Sequence, residues 1–473
     1  MCRKRLLAIP LSMANRAANS PLGLASSSRT SACIAGGRER KVCVRKSMSK
    51  LALKGGTPVR AKPFFTWPII DSSEEKALLE VYRSGKWWRF AFGQGVELAE
   101  PEKGERGQVA LFQEEFARHH GCRYGIAGAN GTGTLEMGIR AMDLAIGDEV
   151  IVPAYTYVAS ANCLLQNNCV PIFVDVDRDT YNIDPARIEE AITPRTRAIM
   201  VVHFGGQPAD MDRVAEIAAK HKLHVIEDAA HAHGCEWNGK KAGSMSLFSS
   251  FSFQASKNMN SGEGGIICTN DHKLAVECDS MIWSGRRVGR PWYEFHRLGW
   301  NYRLTEFQAA MLRVQLRRLD QEVALRDSRA TYLCEALSRI EGVRPLVRDK
   351  RTTRHGYHIF MFRYDEKVTG LPRRVFLEAL AAEGVAGFSG YTFPLYMNPM
   401  FLNKKFINGS FPFGTQYHED LDYRSFAQKC PVAERACASE AVWLPQNWFL
   451  GSQQDMDDVA EAVGKVIKNK DEL

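Results

Sequence analysis

A single lysine stands at the end of an apolar segment, in surroundings suited to an amine nucleophile. Residues 247–253 alternate aromatic side chains with small hydroxyls, which predicts a buried strand. Lys257 follows this strand, and the glycine-rich turn 262–265 comes next and lets the backbone pass close to another group. Partial burial lowers the pKa of a lysine amine enough for it to form a Schiff base. An ordinary surface lysine in a loop is the alternative interpretation.

The glycine and hydroxyl turn 130–134 is a second candidate site, between a predicted strand at 124–129 and a predicted helix. Free backbone N–H groups and the helix dipole at such a turn attract an anion. Gly131 and Thr132 suit a single phosphate, because the third glycine of a dinucleotide-binding fingerprint is missing. A simple helix cap by Thr132 or Thr134 is the alternative.

Apolar strands that alternate with helices predict how these groups are brought together. Besides the strand before Lys257, strands are predicted at 150–152, 172–176, 198–202, 224–226 and 264–268. Such strands are typical of an α/β fold with a mostly parallel sheet covered on both faces. Ligands bind at the carboxyl ends of the strands, where Tyr157, Asp228, Lys257 and the 130–134 turn are all expected.

Together these groups match the needs of pyridoxal phosphate. This cofactor requires an amine for its aldehyde, a phosphate cradle, a carboxylate on its pyridinium nitrogen and a flat wall against its ring. Lys257 is the candidate amine and Asp228 the candidate carboxylate. Gly131, Thr132 and Ser252 are candidates for the phosphate cradle, and Tyr157 is the candidate flat wall. Each residue alone is more simply explained by a structural role, so the prediction depends on their meeting at one sheet edge.

From about Leu51 onwards the chain resembles the DegT/DnrJ/EryC1/StrS family of pyridoxal phosphate-dependent sugar and cyclitol aminotransferases. These enzymes have the aspartate aminotransferase fold, fold type I. The resemblance is carried by five segments: Asn130-Gly131-Thr132, 147–157, 227–231, 252–265 and Asn301-Tyr302-Arg303. Singly, only the segment around Lys257 is specific, whereas together the five are highly specific.

The resemblance implies the central catalytic roles. Lys257 would carry the cofactor as a Schiff base and then move the proton. Asp228 would pair with the pyridine nitrogen, and Tyr157 would stack on the ring. Asn301 would reach the phosphate bound by a neighbouring subunit, which implies a homodimer with shared active sites.

The resemblance also implies which residues line the rest of the cofactor pocket. Gly131, Thr132 and Ser252 would hold the phosphate, and Gln207 would line the pocket. His231 stands where many relatives carry glutamine, beside the ring hydroxyl. A satisfied core histidine is the alternative interpretation of His231.

The implied function is transfer of an amino group from glutamate or glutamine to a keto-sugar or keto-cyclitol, free or nucleotide-linked, by a ping-pong mechanism. The segment 252–265 resembles the cyclitol and aminohydroxybenzoate branch. A histidine common in the substrate loop is replaced by Tyr396, which leaves the acceptor open. Two alternatives remain: a deoxysugar dehydratase of the same fold, whose lysine is replaced by histidine, and a non-catalytic cofactor-binding regulator.

The 473 residues predict a large cofactor-binding domain over 48–327 and a smaller α+β domain over 328–473. A capping box of Thr305 and Gln308 begins a helix that is expected to end near Arg326, and a separate helix is expected at 332–340. Five glycines among charged residues predict a loop over 85–107.

The two ends of the chain bear on its location. Residues 1–47 are basic and predicted to be disordered, either as a transit peptide, as a weak secretory signal or as an unused extension before Met48. The last residues, 470–473, spell an endoplasmic-reticulum retention signal or form a plain charged tail. We expect a cytoplasmic protein, with the mitochondrion, plastid or endoplasmic reticulum as alternatives.

Composition excludes several classes of partner. The formal net charge of +8 is concentrated in residues 1–47, and the rest of the chain is close to neutral, which does not favour nucleic acid. No apolar run is long enough for a membrane span. Twelve scattered cysteines without a C-x-x-C pair predict a reducing compartment and no metal site.

Overall fold

The computed structural model describes residues 50–89, 106–406 and 409–473. The expected basic extension, residues 1–47, lies outside these ranges, and so do residues 90–105 of the expected glycine-rich loop. The described residues belong to one compact unit. None of the helices within these ranges is both long and apolar enough to cross a membrane.

The strands of the described residues have the following bounds. In chain order they are β1 (Tyr124–Gly128), β2 (Glu149–Pro153), β3 (Val170–Val174), β4 (Thr196–Val202), β5 (His224–Asp228), β6 (Glu236–Trp237), β7 (Lys240–Lys241), β8 (Phe248–Ser252), β9 (Gly265–Thr269), β10 (Val343–Pro345), β11 (Thr352–Arg354), β12 (Ile359–Tyr364) and β13 (Ala441–Pro445).

The α-helices of the described residues have the following bounds. In chain order they are α1 (Ser72–Ser84), α2 (Gln108–His119), α3 (Gly131–Ala141), α4 (Ala159–Leu165), α5 (Pro185–Ile188), α6 (Met211–His221), α7 (His272–Ile282), α8 (Glu306–Leu337), α9 (Glu366–Thr369), α10 (Arg373–Ala382), α11 (Pro399–Leu402), α12 (Pro431–Arg435) and α13 (Gln453–Lys468).

A seven-stranded sheet lies at the centre, in the order β1-β9-β8-β5-β4-β2-β3. All seven strands run in one direction except β9, which is antiparallel to β1 and β8. The strands are mostly buried and rich in Val, Ile and Phe, as expected for a sheet covered on both faces. The predicted α/β fold with a mostly parallel sheet is confirmed.

The last part of the chain supplies a second, smaller sheet of β10, β12 and β13, all antiparallel. Its core is formed with α8, α10 and α13, through side chains such as Leu333, Phe360, Phe376, Val442 and Val463. Residues 395–437 instead join the core of the large sheet. The domain boundary at 327/328 stays a prediction.

The helix α8 corrects one expectation. Its capping box is present, with Gln308 N–H donating to Thr305 Oγ1 at 3.3 Å, but the helix does not end near Arg326. It continues to Leu337 because buried positions recur every three or four residues without a break. These positions are Leu319, Val323, Arg326, Ala330, Leu333 and Leu337. The buried Arg326 interrupts the apolar pattern in the sequence, although it does not interrupt the helix.

Residues 470–473 are held by the fold. Lys470 Nζ donates a hydrogen bond to the carbonyl of Thr369 at 2.6 Å, and the Glu472 carboxylate accepts one from the Leu51 N–H at 3.0 Å. Leu473 packs against the core of the smaller sheet. Three of the four side chains therefore contribute contacts within the protein, and a role as a retention signal stays a prediction.

A buried ion pair binds residues 52–59 to α10 and α13, two helices that pack with the smaller sheet. Glu383, at the end of α10, accepts hydrogen bonds from the N–H groups of Ala52 and Val59 at 2.9 and 3.0 Å. The Lys465 ammonium lies 2.8 Å from the same carboxylate and also donates to the carbonyl of Thr57 at 2.8 Å. Each buried charge thus has a partner, which burial requires.

Replacing Glu383 by alanine should lower the free energy of unfolding by about 3 to 5 kcal/mol, because Lys465 would be left buried without its counter-charge. Urea unfolding followed by both fluorescence and circular dichroism measures the change. Glu378→Gln is the matched control on the same helix, since its ion pair with Arg374 is exposed and contributes less than about 1 kcal/mol. Equal stability of the two variants would contradict this role of Glu383.

Candidate active site

The Asp228 carboxylate ends β5 and is buried in the centre of the sheet edge. Its Oδ2 accepts a hydrogen bond from Ser160 Oγ at 2.7 Å, and its Oδ1 accepts one from the Ala230 N–H at 3.2 Å. Burial raises the pKa of Asp228, while these hydrogen bonds and the charge of Lys257 oppose the rise. The carboxylate is therefore held in one orientation next to a cationic group.

The Lys257 amine lies in the loop that follows β8, the strand adjacent to β5. Burial lowers the pKa of Lys257 to about 8, and the Asp228 carboxylate acts in the opposite direction. The loop is closed by the Ala255 N–H, which donates to the Gly262 carbonyl at 2.9 Å, and Gly262 has a φ of +81°. Near pH 8 about half of such an amine is neutral, the form that attacks an aldehyde.

The turn before α3 forms an anion cradle. Asn130 caps the helix by accepting the Gly133 N–H at 2.8 Å, so the amides of Gly131 and Thr132 in the first turn remain available to a ligand. A Cβ built on Gly131 would lie 2.8 Å from the Cβ of Ser252, at the end of β8. The cradle therefore adjoins the strand that leads to Lys257.

Two buried histidines face this region. Nδ1 of His231 accepts the Gly205 N–H at 3.3 Å, which leaves the ring hydrogen on Nε2. The ring of His358 lies 4.3 Å from that of His231, and its Nδ1 is 3.1 Å from Asn258 Oδ1. Burial lowers the pKa of both histidines well below the usual value, and the nearby Lys257 lowers it further. Both rings are therefore neutral at pH 7.

The remaining candidates from the sequence are placed differently. Tyr157 follows β2, and its carbonyl accepts the N–H of Ser160; its ring is 60% exposed. Gln207 is buried and its side-chain amide donates to the Val347 carbonyl at 3.0 Å, away from the groups above. Asn301 is exposed, and its backbone forms an isolated bridge with Trp283. Among the described residues no hydrogen bond joins these three side chains to Lys257 or Asp228.

Sequence patterns gave no site role to Ser160 or His358, and the family resemblance placed Tyr391 only within the substrate loop that also contains Tyr396. Ser160 binds Asp228, and His358 packs on His231. The Tyr391 ring contacts those of nearby aromatic residues, and burial raises its pKa, with smaller contributions from Asp228 and Tyr157. Tertiary packing decides which of these side chains lies beside the site, so no local pattern assigns Ser160 or His358 to it.

The arrangement combines four chemical capacities at the carboxyl edge of the sheet. It has an amine with a lowered pKa, a fixed carboxylate that interacts with it, an anion cradle and neutral imidazoles. Such perturbed pKa values beside a specific charge partner are typical of catalytic sites. The groups suit Schiff-base chemistry on a phosphorylated aldehyde cofactor.

Comparison with known proteins agrees with this chemistry. The family model of the DegT/DnrJ/EryC1/StrS aminotransferase family matches residues 101–464. A Streptoalloteichus tenebrarius protein provisionally named L-glutamine:3-amino-2,3-dideoxy-scyllo-inosose aminotransferase is 40% identical over 430 residues, covering 90% of this chain and 99% of its own. The L-glutamine:2-deoxy-scyllo-inosose aminotransferase of the same organism is 36% identical over 433 residues, covering 89% and 99%.

A solved structure shares the architecture. The crystal structure of 3-amino-5-hydroxybenzoic acid synthase superimposes with a TM-score of 0.76 at 33% identity, covering 87% of this chain and all of that one. The fold is accordingly fold type I of the pyridoxal phosphate-dependent transferases. On this evidence of sequence and structure, the chain belongs to the DegT/DnrJ/EryC1/StrS aminotransferase family.

Proposed function

We propose that this aminotransferase binds pyridoxal phosphate and transfers an amino group from L-glutamine, or from glutamate, to a keto-cyclitol or keto-sugar. The buried Lys257 amine beside Asp228, with its pKa of about 8, carries the proposal. An intact lysine disfavours a dehydratase of the same fold, whose relatives carry histidine there. A perturbed, paired amine also favours an enzyme over a regulator without catalysis, because lysines with a lowered pKa beside a specific charge partner are typical of catalytic sites.

The residues at this edge fit pyridoxal phosphate. The cradle packs so closely that a Cβ on Gly265 would lie 2.8 Å from the nitrogen of Gly131. The backbone amides of Gly131 and Thr132 and the hydroxyl of Ser252 are therefore left to hold the phosphate, without a competing side chain at position 131. Such a cradle suits one phosphate group at a helix N-terminus.

Asp228 would hold the pyridine nitrogen protonated. Each of its oxygens accepts one hydrogen bond, from Ser160 or Ala230, and retains a further lone pair for the cofactor. Bound pyridoxal phosphate supplies an electron sink for the substrate carbon that loses its proton. Lys257 Nζ is the group that would accept this proton, because its lowered pKa leaves it neutral in part of the population.

His231 would donate a hydrogen bond to the ring hydroxyl of the cofactor. Its Nδ1 is engaged by the Gly205 N–H, so the hydrogen lies on Nε2, where a glutamine amide would offer the same donor. The exposed ring of Tyr157 is free to serve as the flat wall against the cofactor. A role for Gln207 in the pocket would require its side chain to leave the Val347 carbonyl.

We also propose a homodimer in which Asn301 reaches the phosphate bound by the second subunit. Asn301 is exposed, whereas its neighbour Tyr302 packs inward and donates a hydrogen bond to Glu136 at 3.2 Å. The exposed Asn301 is therefore accessible to a second copy of the chain, which supports this role. Cytoplasmic location remains part of this proposal.

The choice of substrates rests on the relatives. Two of them are named for L-glutamine and an inosose, and a third for an aminohydroxybenzoate product. Tyr396 stands in the substrate loop but is fully buried, and its hydroxyl donates to Glu434 at 2.7 Å. The acceptor is therefore selected by other side chains, and the first candidate is Tyr391, whose pKa is raised by burial and by the nearby Asp228 and Tyr157.

Replacing Lys257 by alanine should abolish amino transfer and remove the absorption band of the lysine-linked cofactor. Asp228→Asn should keep the band and slow the half-reaction with glutamine by about a hundredfold or more, because charge stabilisation is lost. Spectra of the holoenzyme on addition of glutamine, followed by analysis of aminated cyclitols, measure both effects. Lys273→Ala, on the exposed face of α7, is the control. Full turnover by the Lys257 variant would refute the proposed function.

Capture of pyridoxal phosphate by the apoprotein should accelerate as the pH rises through about 8, because the neutral form of Lys257 is the nucleophile. Asp228 raises the pKa of Lys257, so Asp228→Asn should move the midpoint of this profile to lower pH. Stopped-flow absorbance across pH 6 to 10 (roughly two units either side of the midpoint) gives the profile. Glu263→Gln, an exposed carboxylate of the same loop, should leave the midpoint unchanged. A midpoint that rises in Asp228→Asn would contradict the electrostatic link.

A further inference from the structure

The guanidinium of Arg373 is buried at the start of α10, where it binds backbone carbonyls and no acidic side chain. It donates hydrogen bonds to the carbonyls of Ser389 at 3.2 Å, Ala436 at 3.1 Å, Cys437 at 2.6 Å, Ala438 at 2.9 Å and Ala441 at 2.8 Å. Among the described residues no carboxylate forms an ion pair with this guanidinium. Because the N–H donors of an arginine lie in one rigid plane, Arg373 holds these carbonyls at fixed positions.

Three of the five carbonyls belong to a short π-helix, Ala436–Glu440. The last carbonyls of a helix lack partners within the helix and carry partial negative charge, which attracts a cation. A fourth carbonyl is that of Ala441, the first residue of β13. Arg373 therefore fixes the point at which the π-helix leads into β13.

The fifth carbonyl belongs to the segment that contains the substrate loop. Just before Ser389, the backbone of Phe388 exchanges two hydrogen bonds with Trp443 of β13, at 3.0 and 2.8 Å. At the far end of the loop, the Leu395 N–H donates to the Ala154 carbonyl at 2.9 Å. The first part of the loop is thus held by β13 and by Arg373, which also holds the start of β13.

The Tyr391 side chain lies where these contacts converge. Its ring packs at 84° against that of Trp443, with the centroids 5.0 Å apart, and lies 5.3 Å from the ring of Tyr155. Gly390 has a φ of +74°, and a Cβ built on it would lie 2.7 Å from Tyr155 Oη. Burial raises the pKa of Tyr391 and the charge of Asp228 contributes to the rise, so the phenol is near the site carboxylate.

Arg373 itself is placed to act on the loop and not on a substrate. Only 7% of the residue is exposed, and both of its Nη groups are engaged by backbone carbonyls. No hydrogen bond among the described residues joins it to Lys257 or Asp228. Its effect on the reaction must therefore pass through the segments that it holds.

We infer that Arg373 positions Tyr391 for contact with the keto-cyclitol or keto-sugar acceptor, by tying the substrate loop to the start of β13. This inference rests on the proposed function, in which Tyr391 is the first candidate for selecting the acceptor. Arg373 is a positioning residue, since it acts through Tyr391. A displacement of about 1 Å in a group that orients a substrate can lower the rate by about a hundredfold.

The two half-reactions of the holoenzyme, measured separately, test the inference. Arg373→Lys keeps the charge but has fewer N–H donors and no rigid plane, so it cannot hold all five carbonyls. It should raise the concentration of 2-deoxy-scyllo-inosose for half-maximal reaction with the aminated enzyme roughly tenfold to a hundredfold. The half-reaction with L-glutamine should change less. Arg374→Gln, the exposed neighbour on α10, is the control and should match the wild type. An equal loss in both half-reactions would overturn the inference.

A double variant separates positioning from a general structural role. Tyr391→Ala removes the ring through which Arg373 acts. Adding Arg373→Lys to it should therefore reduce the reaction with the same acceptor by less than about twofold, because residues that act as a unit are not additive. If the two losses multiply, Arg373 acts by another route and the inference is wrong.

Hydrogen exchange measures the loop without turnover. The backbone amides of Phe388 and Trp443 should exchange roughly tenfold faster or more in Arg373→Lys than in the wild type, because their segments are held less firmly. Amides of β4 serve as the internal control and should be unchanged. Unaltered exchange at Phe388 and Trp443 would overturn the inference. A wild-type enzyme that aminates no keto-cyclitol or keto-sugar would instead refute the proposed function, whatever the exchange rates show.

Discussion

Burial of an amine beside a carboxylate is the interaction on which the site depends. Lys257 is removed from water far enough to lower its pKa to about 8, and Asp228 keeps it from losing its charge altogether. The two groups meet because β5 and β8 are adjacent parallel strands, so their carboxyl ends open at the same sheet edge. Ser160 in α4 fixes the orientation of the carboxylate, because its hydroxyl donates a hydrogen bond to Oδ2 at 2.7 Å. The order of the strands and the hydroxyl of Ser160 thus determine where the amine and the carboxylate lie.

The second constraint is the close packing of backbone segments around the anion cradle. Gly131 and Gly265 adjoin each other and Ser252 at distances that leave no room for a Cβ. The helix α3 therefore starts against the last residue of β8, Ser252, and the first residue of β9, Gly265. A larger residue at either position would push the helix away from the sheet and separate the phosphate cradle from the amine. Gly131 and Gly265 are needed for this close packing and not for an unusual backbone conformation, since neither has a positive φ.

Much of this arrangement could be predicted from the sequence, because strands, strand ends and glycine turns are local patterns. The mostly parallel sheet, the capping box of α8 and the placement of Asp228 and Lys257 at one edge follow from such patterns. The continuous α8 was missed because the buried Arg326 looks polar in the sequence, yet its Nε donates to Gln446 at 2.8 Å and its Nη2 pairs with Glu322 at 3.3 Å. His358 was missed for a different reason. It comes from a distant part of the chain, and tertiary packing alone decides which distant residue faces an active site.

Burial determines which positive charges the protein keeps. Inside the site, desolvation disfavours every positive charge, so His231 and His358 are neutral and Lys257 is only partly protonated. A site of this kind favours the loss of a proton from a substrate carbon, because a neutral amine can accept the proton. Elsewhere in the fold a buried positive charge is kept by its partners: Arg326 pairs with Glu322 and donates a hydrogen bond to Gln446. Lys257 has the Asp228 carboxylate to oppose desolvation, so its pKa is about 8 and the neutral and charged forms coexist near that pH.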